Sequence, residues 1–381
     1  MKHVLTVDIG TGTQDIFLLQ EGLDIENGLK LVMPSPTMMV REKIQEATFL
    51  GEDILLTGVT MGGGPSHWAA ETHLKQGHRV FATPEAAQTF NDDLEWVEYE
   101  MGVTLISEDE AWSLESIRRI TLQDFDLEVI RQTFTAFGVN LDLDGVGVAV
   151  FDHGAAPPNI SDRKFRFDYL KRRILEKNHL SAFAYPAEHV PEILTRMRAV
   201  STSASSLDCP LMLMDTAPAA VLGATLDPIA SKQARALFVN LGNLHTLAFR
   251  LGPSGIEGVF EHHTGLLDQV RLDTLLESFA AGTLKCEDVF NDHGHGALTI
   301  IPESLPLEGE EFKVIVTGPR RSMMAESRLN CYCAAPYGDM MLSGCFGVLA
   351  ALADNIPSLQ EPIRSALYGV GSKNTPWDTN F

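Results

Sequence analysis

Basic residues are scarce in this chain of 381 residues: 29 Lys and Arg stand against 51 Asp and Glu, a formal net charge of −22. So acidic a surface repels phosphate backbones and anionic lipid, which excludes nucleic acid and the membrane surface as expected partners. Any anion the protein handles, a nucleotide included, must be met locally by backbone N–H groups, a metal or a few placed cations. Cysteine is also scarce and odd in number: Cys209, Cys286, Cys331, Cys333 and Cys345 are scattered, which is not a disulfide framework. No run of 18 apolar residues occurs, so no membrane-spanning helix is expected. The apolar start reaches Asp8 too soon for a secretory signal, and the expected compartment is the cytoplasm. Two nucleotide fingerprints are missing as well. There is no G-x-x-x-x-G-K-[ST] sequence, and Asp15 sits where a dinucleotide motif opened by Gly10 would need its third glycine. Hydrophobic residues at 45% and a mean hydropathy of +0.01 are the balance of a folded chain, long enough for two or three domains.

What is present is a set of apolar strands broken by glycine turns. His3–Val7 ends in Asp8-Ile9-Gly10-Thr11-Gly12-Thr13-Gln14-Asp15, and Ile16–Leu19 follows at once, which reads as a hairpin. A third strand is expected at Leu29–Met33, closed by Pro34 and Pro36. Ile54–Gly58 leads through Gly62-Gly63-Gly64-Pro65 into a helix from about Ser66 to Gln76. Ser107 and Glu110 have capping-box spacing. Asp126 is placed to cap a helix with Leu127, Ile130, Phe134 and Phe137 on one face. Val146–Phe151 is a buried strand ending in Asp152-His153-Gly154. Thr202–Ser206 is the most linker-like stretch.

Leu211–Met214 then makes a strand ending at Asp215, with a helix over Thr216–Ala224 that carries Pro218 in its first turn. After it the opening pattern returns: Ala236–Leu241, the turn Gly242-Asn243-Leu244-His245, and Thr246–Leu251. Ile256–Phe260 supplies a third strand, Leu266–Ala280 a helix, Phe312–Thr317 a strand before Gly318-Pro319-Arg320, and Ser343–Ala353 a last helix. Two such units in one chain imply an internal duplication.

In order, Asp8-x-Gly10, Met214–Gly223, Asn240-x-Gly242, Val316–Arg321 and Ser343–Leu349 resemble the five motifs of the actin, heat-shock-chaperone and sugar-kinase ATPase superfamily. These are phosphate-1, connect-1, phosphate-2, adenosine and connect-2. The resemblance implies an α/β fold with two duplicated ribonuclease-H-like (actin-like ATPase) domains, built on mixed sheets around a nucleotide cleft. Residues 1–225 would form the first domain, with an acceptor-side insertion at about 52–144. Residues 226–342 would form the second, and 343–381 a C-terminal helix and tail. It also implies ATP or ADP with Mg²⁺ as cofactors. Asp8 would orient the metal, and Asp215 would be the base that takes a proton from an acceptor hydroxyl; the plainer reading of Asp215 is a helix N-cap, and the two roles are compatible. Gly10, Thr11, Gly12 and Thr13 on one turn, Asn240, Gly242, Asn243 and Thr246 on the other, and Gly318 and Arg320 would hold the nucleotide. Asn240 stands where the superfamily usually has Asp, and Pro319 where it has a second glycine.

Histidines gather at strand ends and in loops, in Asp152-His153, Glu261-His262-His263 and Asp292-His293-Gly294-His295. Such residues are most often surface or hydrogen-bonding groups. The functional alternative places Asp152, His153, His262, His263 and His295 on the substrate side, against the acceptor or a second metal. If 262–263 is extended, its two histidines point to opposite faces.

More narrowly, Asp8–Asp15, Asp152-His153-Gly154 and Val316–Arg321 resemble a branch of the superfamily labelled pyruvate formate-lyase activating enzyme. That label implies radical chemistry on a [4Fe–4S] cluster, which needs closely spaced cysteines such as C-x-x-x-C-x-x-C. Here the close pair is Cys331-x-Cys333, with Cys345 farther on. The expectation is therefore an ATP-dependent phosphotransferase acting on a small hydroxylated or carboxylated metabolite, with a nucleotide-binding switch as the alternative and the radical enzyme behind both.

Overall fold

A computed structural model describes residues 2–309, 311–369 and 374–378. The chain opens as expected, with a meander of β1 (His3–Ile9), β2 (Thr13–Gln20) and β3 (Leu29–Pro34), each antiparallel to the next. An inserted unit follows, in which β4 (Ile54–Gly58), β5 (Val80–Ala82), β6 (Thr104–Leu105) and β7 (Arg118–Leu122) form a parallel sheet in the order β6-β5-β4-β7. The first sheet is then completed by β8 (Gly145–Val150), β9 (Ala184–Pro186) and β10 (Leu211–Asp215), giving the order β3-β2-β1-β8-β10-β9. β8 is parallel to β1 and β10 is parallel to β8.

The second half repeats this plan. β11 (Ala236–Leu241), β12 (His245–Gly252) and β13 (Gly255–His263) make the meander, and β14 (Gly296–Thr299) extends its edge. β15 (Val314–Thr317) and β16 (Cys331–Cys333) add in parallel beside β11, giving β14-β13-β12-β11-β15-β16. A three-strand meander with two parallel strands laid against its first strand is the ribonuclease-H-like order. Its recurrence in both sheets is the duplication, and the chain has the two-domain actin-like ATPase fold.

Strand alternation sorts the core. Leu5, Val7 and Ile9 of β1, Val146 and Val148 of β8, and Leu211 and Leu213 of β10 pack in one cluster, which continues into Phe238 and Phe249 of the second sheet. Val4, Ala149, Met212 and Met214 face the other way, under the helices Ser343–Asn355 and Pro357–Tyr368. The helices Thr216–Ala224 and Ser343–Asn355 cross at near-backbone contact, because a methyl group on Gly223 would lie 1.7 Å from the Ser343 carbonyl oxygen and one on Gly347 1.9 Å from that of Ala219.

Three sequence expectations are corrected. Pro36 does not merely close a strand but opens a helix over Pro36–Leu50, with Ser35 as its cap. Val40, Ile44 and Ala47 of that helix pack with β4 and β5, whereas Leu127, Ile130 and Phe134 belong to the main core. By packing, the insertion therefore spans 36–122 rather than 52–144. Thr202–Ser206 is no linker, because it ends the helix Thr195–Ser203, whose Val200 sits with Ala204 in the main core. No helix among the described residues is long and apolar enough to cross a membrane.

Candidate functional site

The turns that end β1 and β11 meet across a single cavity of about 290 Å³. Each turn is closed by its own backbone: Gly10 N–H donates to the Thr13 carbonyl at 2.9 Å and Gly242 N–H to that of His245 at 3.0 Å. Their tips touch, since a methyl group on Gly12 would lie 2.8 Å from Asn243 Nδ2. Gly10, Thr11, Thr13, Asn240, Gly242, Asn243 and Gly318 line the cavity with Asp8, Asp152 and His153. The left-handed backbone at Gly318 (φ 98°) brings it against Leu241 and the Asn240 amide.

Asp8 has a partner that its motif did not reveal. Asp15 lies directly opposite it in the hairpin register, and both carboxylates are buried on the cavity wall. Burial pushes Asp8 up to about 7, against a hydrogen bond donated by the Thr216 hydroxyl. Burial, reinforced by the Asp8 charge, pushes Asp15 up to about 8, and Asp15 Oδ1 has no hydrogen-bond partner. Two close carboxylates with an unpartnered buried oxygen are what a hard divalent cation takes, so this pair fits Mg²⁺.

Several sequence candidates stand elsewhere. Asp215 does not line the cavity, which corrects its assignment as the base. Asp8 is level with Ala149 of β8, and Ala149 with Met214 of β10. Asp215 comes one residue later and so points to the opposite face, into an ion pair with Arg166. Arg166 also donates to Glu261 at 3.3 Å and to the Asp152 carbonyl at 3.0 Å. Burial pushes Glu261 up to about 7 although Arg166 pulls the other way. The Thr246 hydroxyl is buried against that of Thr264, 2.9 Å away, and Arg320 is exposed with its backbone N–H on Leu241. Asp152 accepts from the N–H groups of Gly154 (2.8 Å) and Met197 (2.9 Å), an anchoring role, and burial raises it to about 6.

The insertion supplies another wall. Thr60, Gly62, Gly63 and Gly64 face the cavity with Gln88, Thr89 and Asp92. Beneath this loop Arg196 grips Asp124 at 2.6 and 3.0 Å, while Gly62 N–H donates to the same carboxylate at 3.2 Å.

At the carboxyl end of β8, His153 comes within ring contact of His245 (centroids 5.3 Å) and His295 (6.0 Å). His263 borders the group, 4.7 Å from His295. His262 points away, with Nε2 at 3.3 Å from Asp292. The loss of water around it and the Arg166 charge lower His153, although its ring is open to the cavity, and burial pushes His245 and His295 far below the usual imidazole range. Sequence reading passed over His245, whose only signal was its place at the end of the second turn.

Residues 61–323, more than half of the chain, match the model of a family described as "Putative pyruvate format-lyase activating enzyme (DUF1786)". The chain belongs to that family. No curated protein matches it. Among solved structures, two of the Aquifex aeolicus Ppx/GppA protein are similar at 11% identity. One match covers 71% of this chain and 55% of that one with a TM-score of 0.19. The other covers 74% and 63% with a TM-score of 0.22. An exopolyphosphatase-like protein is similar at 10% identity, over 98% of this chain and 93% of that one, with a TM-score of 0.24. This chain thus spans between half and two thirds of the Aquifex aeolicus protein, and the fold rests on the sheet orders above.

The thiols do not fit the iron–sulfur cluster that the family's description implies. Cys345 is buried with its Sγ on the carbonyl oxygens of Asp15 (3.0 Å) and Thr6 (3.7 Å). Cys331 and Cys333, two residues apart on β16, leave the same face of the strand, but Cys331 packs against the core of the second sheet and Cys345 lies in a separate cluster, so the three thiols are not brought together.

Proposed function

We propose that this chain binds a nucleoside di- or triphosphate with Mg²⁺ between its two glycine turns and transfers a phosphoryl group to a small acceptor. The observation that carries this reading is the meeting of both turns with Asp8 and Asp15 around one cavity. Backbone N–H groups of the turns would hold phosphate oxygens without a Lys/Arg cluster, as so acidic a chain requires. Asp8 and Asp15 would hold Mg²⁺, whose chemistry is to neutralise charge on the phosphates. The acceptor would be a hydroxylated or carboxylated metabolite entering beside Gly62–Gly64 and Asp92.

A nucleotide-gated switch without efficient turnover is the second reading. It is favoured by Asp215, which is locked to Arg166 and so withdrawn from the place of a base.

Calorimetry with ATP, ADP and GTP, with and without Mg²⁺, tests binding, and ATP turnover against a panel of small hydroxy and carboxylate acceptors tests transfer. The expected result is Mg²⁺-dependent binding. A ligand at about 100 times its Kd adds about 2.7 kcal/mol of stability, which a thermal midpoint registers. No heat and no midpoint change at millimolar nucleotide would overturn the reading. Tight binding without acceptor-dependent turnover would leave the switch.

A further inference from the structure

We propose that His153, His245 and His295 form a binding site for a divalent transition-metal ion, zinc by preference, with its open coordination position facing the cavity. One ring nitrogen from each of the three lies within 4.8 Å of the others, a spacing that a single ion can bridge. They arrive from separate parts of the fold. His153 follows β8 in the first domain, His245 opens β12 and His295 precedes β14 in the second. The second glycine turn ends at His245, so the residue that closes that turn would also ligate the ion.

The nitrogen inventory favours an ion over an internal hydrogen-bond network. His295 is fully buried, yet neither of its ring nitrogens has a partner, and His245 Nε2 has none either. Polar atoms in such places are ordinarily satisfied, and a missing partner points to a group that belongs there. The rings are also held in place. His245 stacks on Phe151 at 4.1 Å with 3° between the planes, and Phe151 in turn carries the Arg166 guanidinium 4.4 Å above its ring. A metal-bound histidine commonly turns its other nitrogen to a carboxylate. Glu261 stands there, with Oε1 itself unpartnered and 3.9 Å from His295 Nε2.

Donor chemistry selects the ion. Three imidazoles suit zinc and its neighbours, whereas Mg²⁺ takes oxygen ligands, so the carboxylate pair and the histidine triad would sort two different ions. Three protein ligands with a fourth position open is the arrangement of a zinc that binds water or substrate. His153 is the exposed member, and it lines the cavity with His245. A water or an acceptor oxygen entering from the cavity would therefore meet the ion. The site rests on the histidine geometry alone and stands whether or not the cavity holds a nucleotide.

The test uses the full chain without a polyhistidine tag, stripped with a chelator and titrated with Zn²⁺ against a chromophoric competitor. One zinc per chain is expected. His153→Gln and His245→Gln should each weaken it at least about 100-fold, the upper end of what loss of an outer partner alone costs, while His189→Gln on the exposed surface should not. Co²⁺ should give the intense visible bands of a four-coordinate ion, lost in His153→Gln. His153 is open to the cavity, so the metal-free His153→Gln protein should keep the wild-type thermal midpoint and decides the matter if His245→Gln fails to fold. No stoichiometric zinc in the wild type, or zinc undiminished by His153→Gln, overturns the site. Mg²⁺–nucleotide calorimetry run in parallel shows separately whether the phosphate reading stands.

Discussion

Arg166 and Asp215 form an ion pair with both side chains fully buried, 49 residues apart in sequence and under the sheet rather than in the cavity. Their neighbour Glu261 makes the cluster one cation between two carboxylates. Removing the cation would leave uncompensated buried charge, which typically costs about 3–5 kcal/mol, whereas removing one carboxylate leaves Arg166 its other partner.

Asp215→Asn keeps Arg166 paired with Glu261 but loses a charge-assisted hydrogen bond, so it should destabilise the chain by about 1.5–3 kcal/mol, seen as a lower urea midpoint, with nucleotide affinity nearly unchanged. Arg166→Met should cost at least as much, because it leaves two buried carboxylates facing one another. Asn caps a helix about as well as Asp, so a purely capping Asp215 would make the first substitution almost silent. A wild-type midpoint for Asp215→Asn would show that the ion pair contributes little.

The hairpins were legible because each places glycine between two apolar strands, and their recurrence gave the duplicated α/β plan. Helices were legible where a cap and an apolar stripe coincide: Asp126 does cap Leu127–Ala136, and Ser107 with Glu110 does form a capping box. Others were hidden by proline. Pro36 reads as a strand stop yet sits in a helix's first turn, and Pro362 lies inside the helix Pro357–Tyr368. The site was half legible. Asp8 and the turns are local signals, but the face on which Asp215 lies depends on strand register, which puts Thr216 and not Asp215 against Asp8. The histidines are brought together by two domains, and nothing local in the sequence marks that.

The Asp8–Asp15 pair makes stability and metal binding depend on pH in opposite directions. Both folded-state values, about 7 and about 8, lie above the ordinary carboxylate value of 3.8. The folded chain thus holds more protons than the unfolded one between about pH 4 and 8, and metal-free stability should fall as pH rises through that window. Mg²⁺ needs the ionised pair, so its stabilising effect should be small at pH 5.5 and reach a plateau above about pH 8.5. Thermal midpoints measured with and without Mg²⁺ across this range check both slopes. Asp15→Asn should raise metal-free stability at pH 8 and abolish the Mg²⁺ effect. A Mg²⁺ effect independent of pH would place the ion elsewhere.

Two glycines on one helix separate the site from the scaffold. A methyl group on Gly344 would fall 1.8 Å from Asp8 Oδ2, whereas one on Gly347 would fall 1.9 Å from the backbone carbonyl oxygen of Ala219. Alanine in a helix gains up to about 1 kcal/mol over glycine, but an overpacked contact typically costs about 1–3 kcal/mol and more where backbone must move. The overlap should win at both positions, with different consequences. At Gly344 the obstacle is the Asp8 side chain, whose Cγ and Cβ would lie 2.4 and 2.9 Å away as well, so Gly344→Ala should lower stability by moving Asp8 as a whole, displacing it from Asp15 and weakening Mg²⁺-dependent nucleotide binding. At Gly347 the obstacle is the crossing helix Thr216–Ala224 itself, so Gly347→Ala should lower the thermal midpoint severely or prevent folding. Midpoint and Mg²⁺–ATP affinity measured on both variants read the two effects apart. Undiminished affinity in Gly344→Ala would show that Asp8 does not hold the metal.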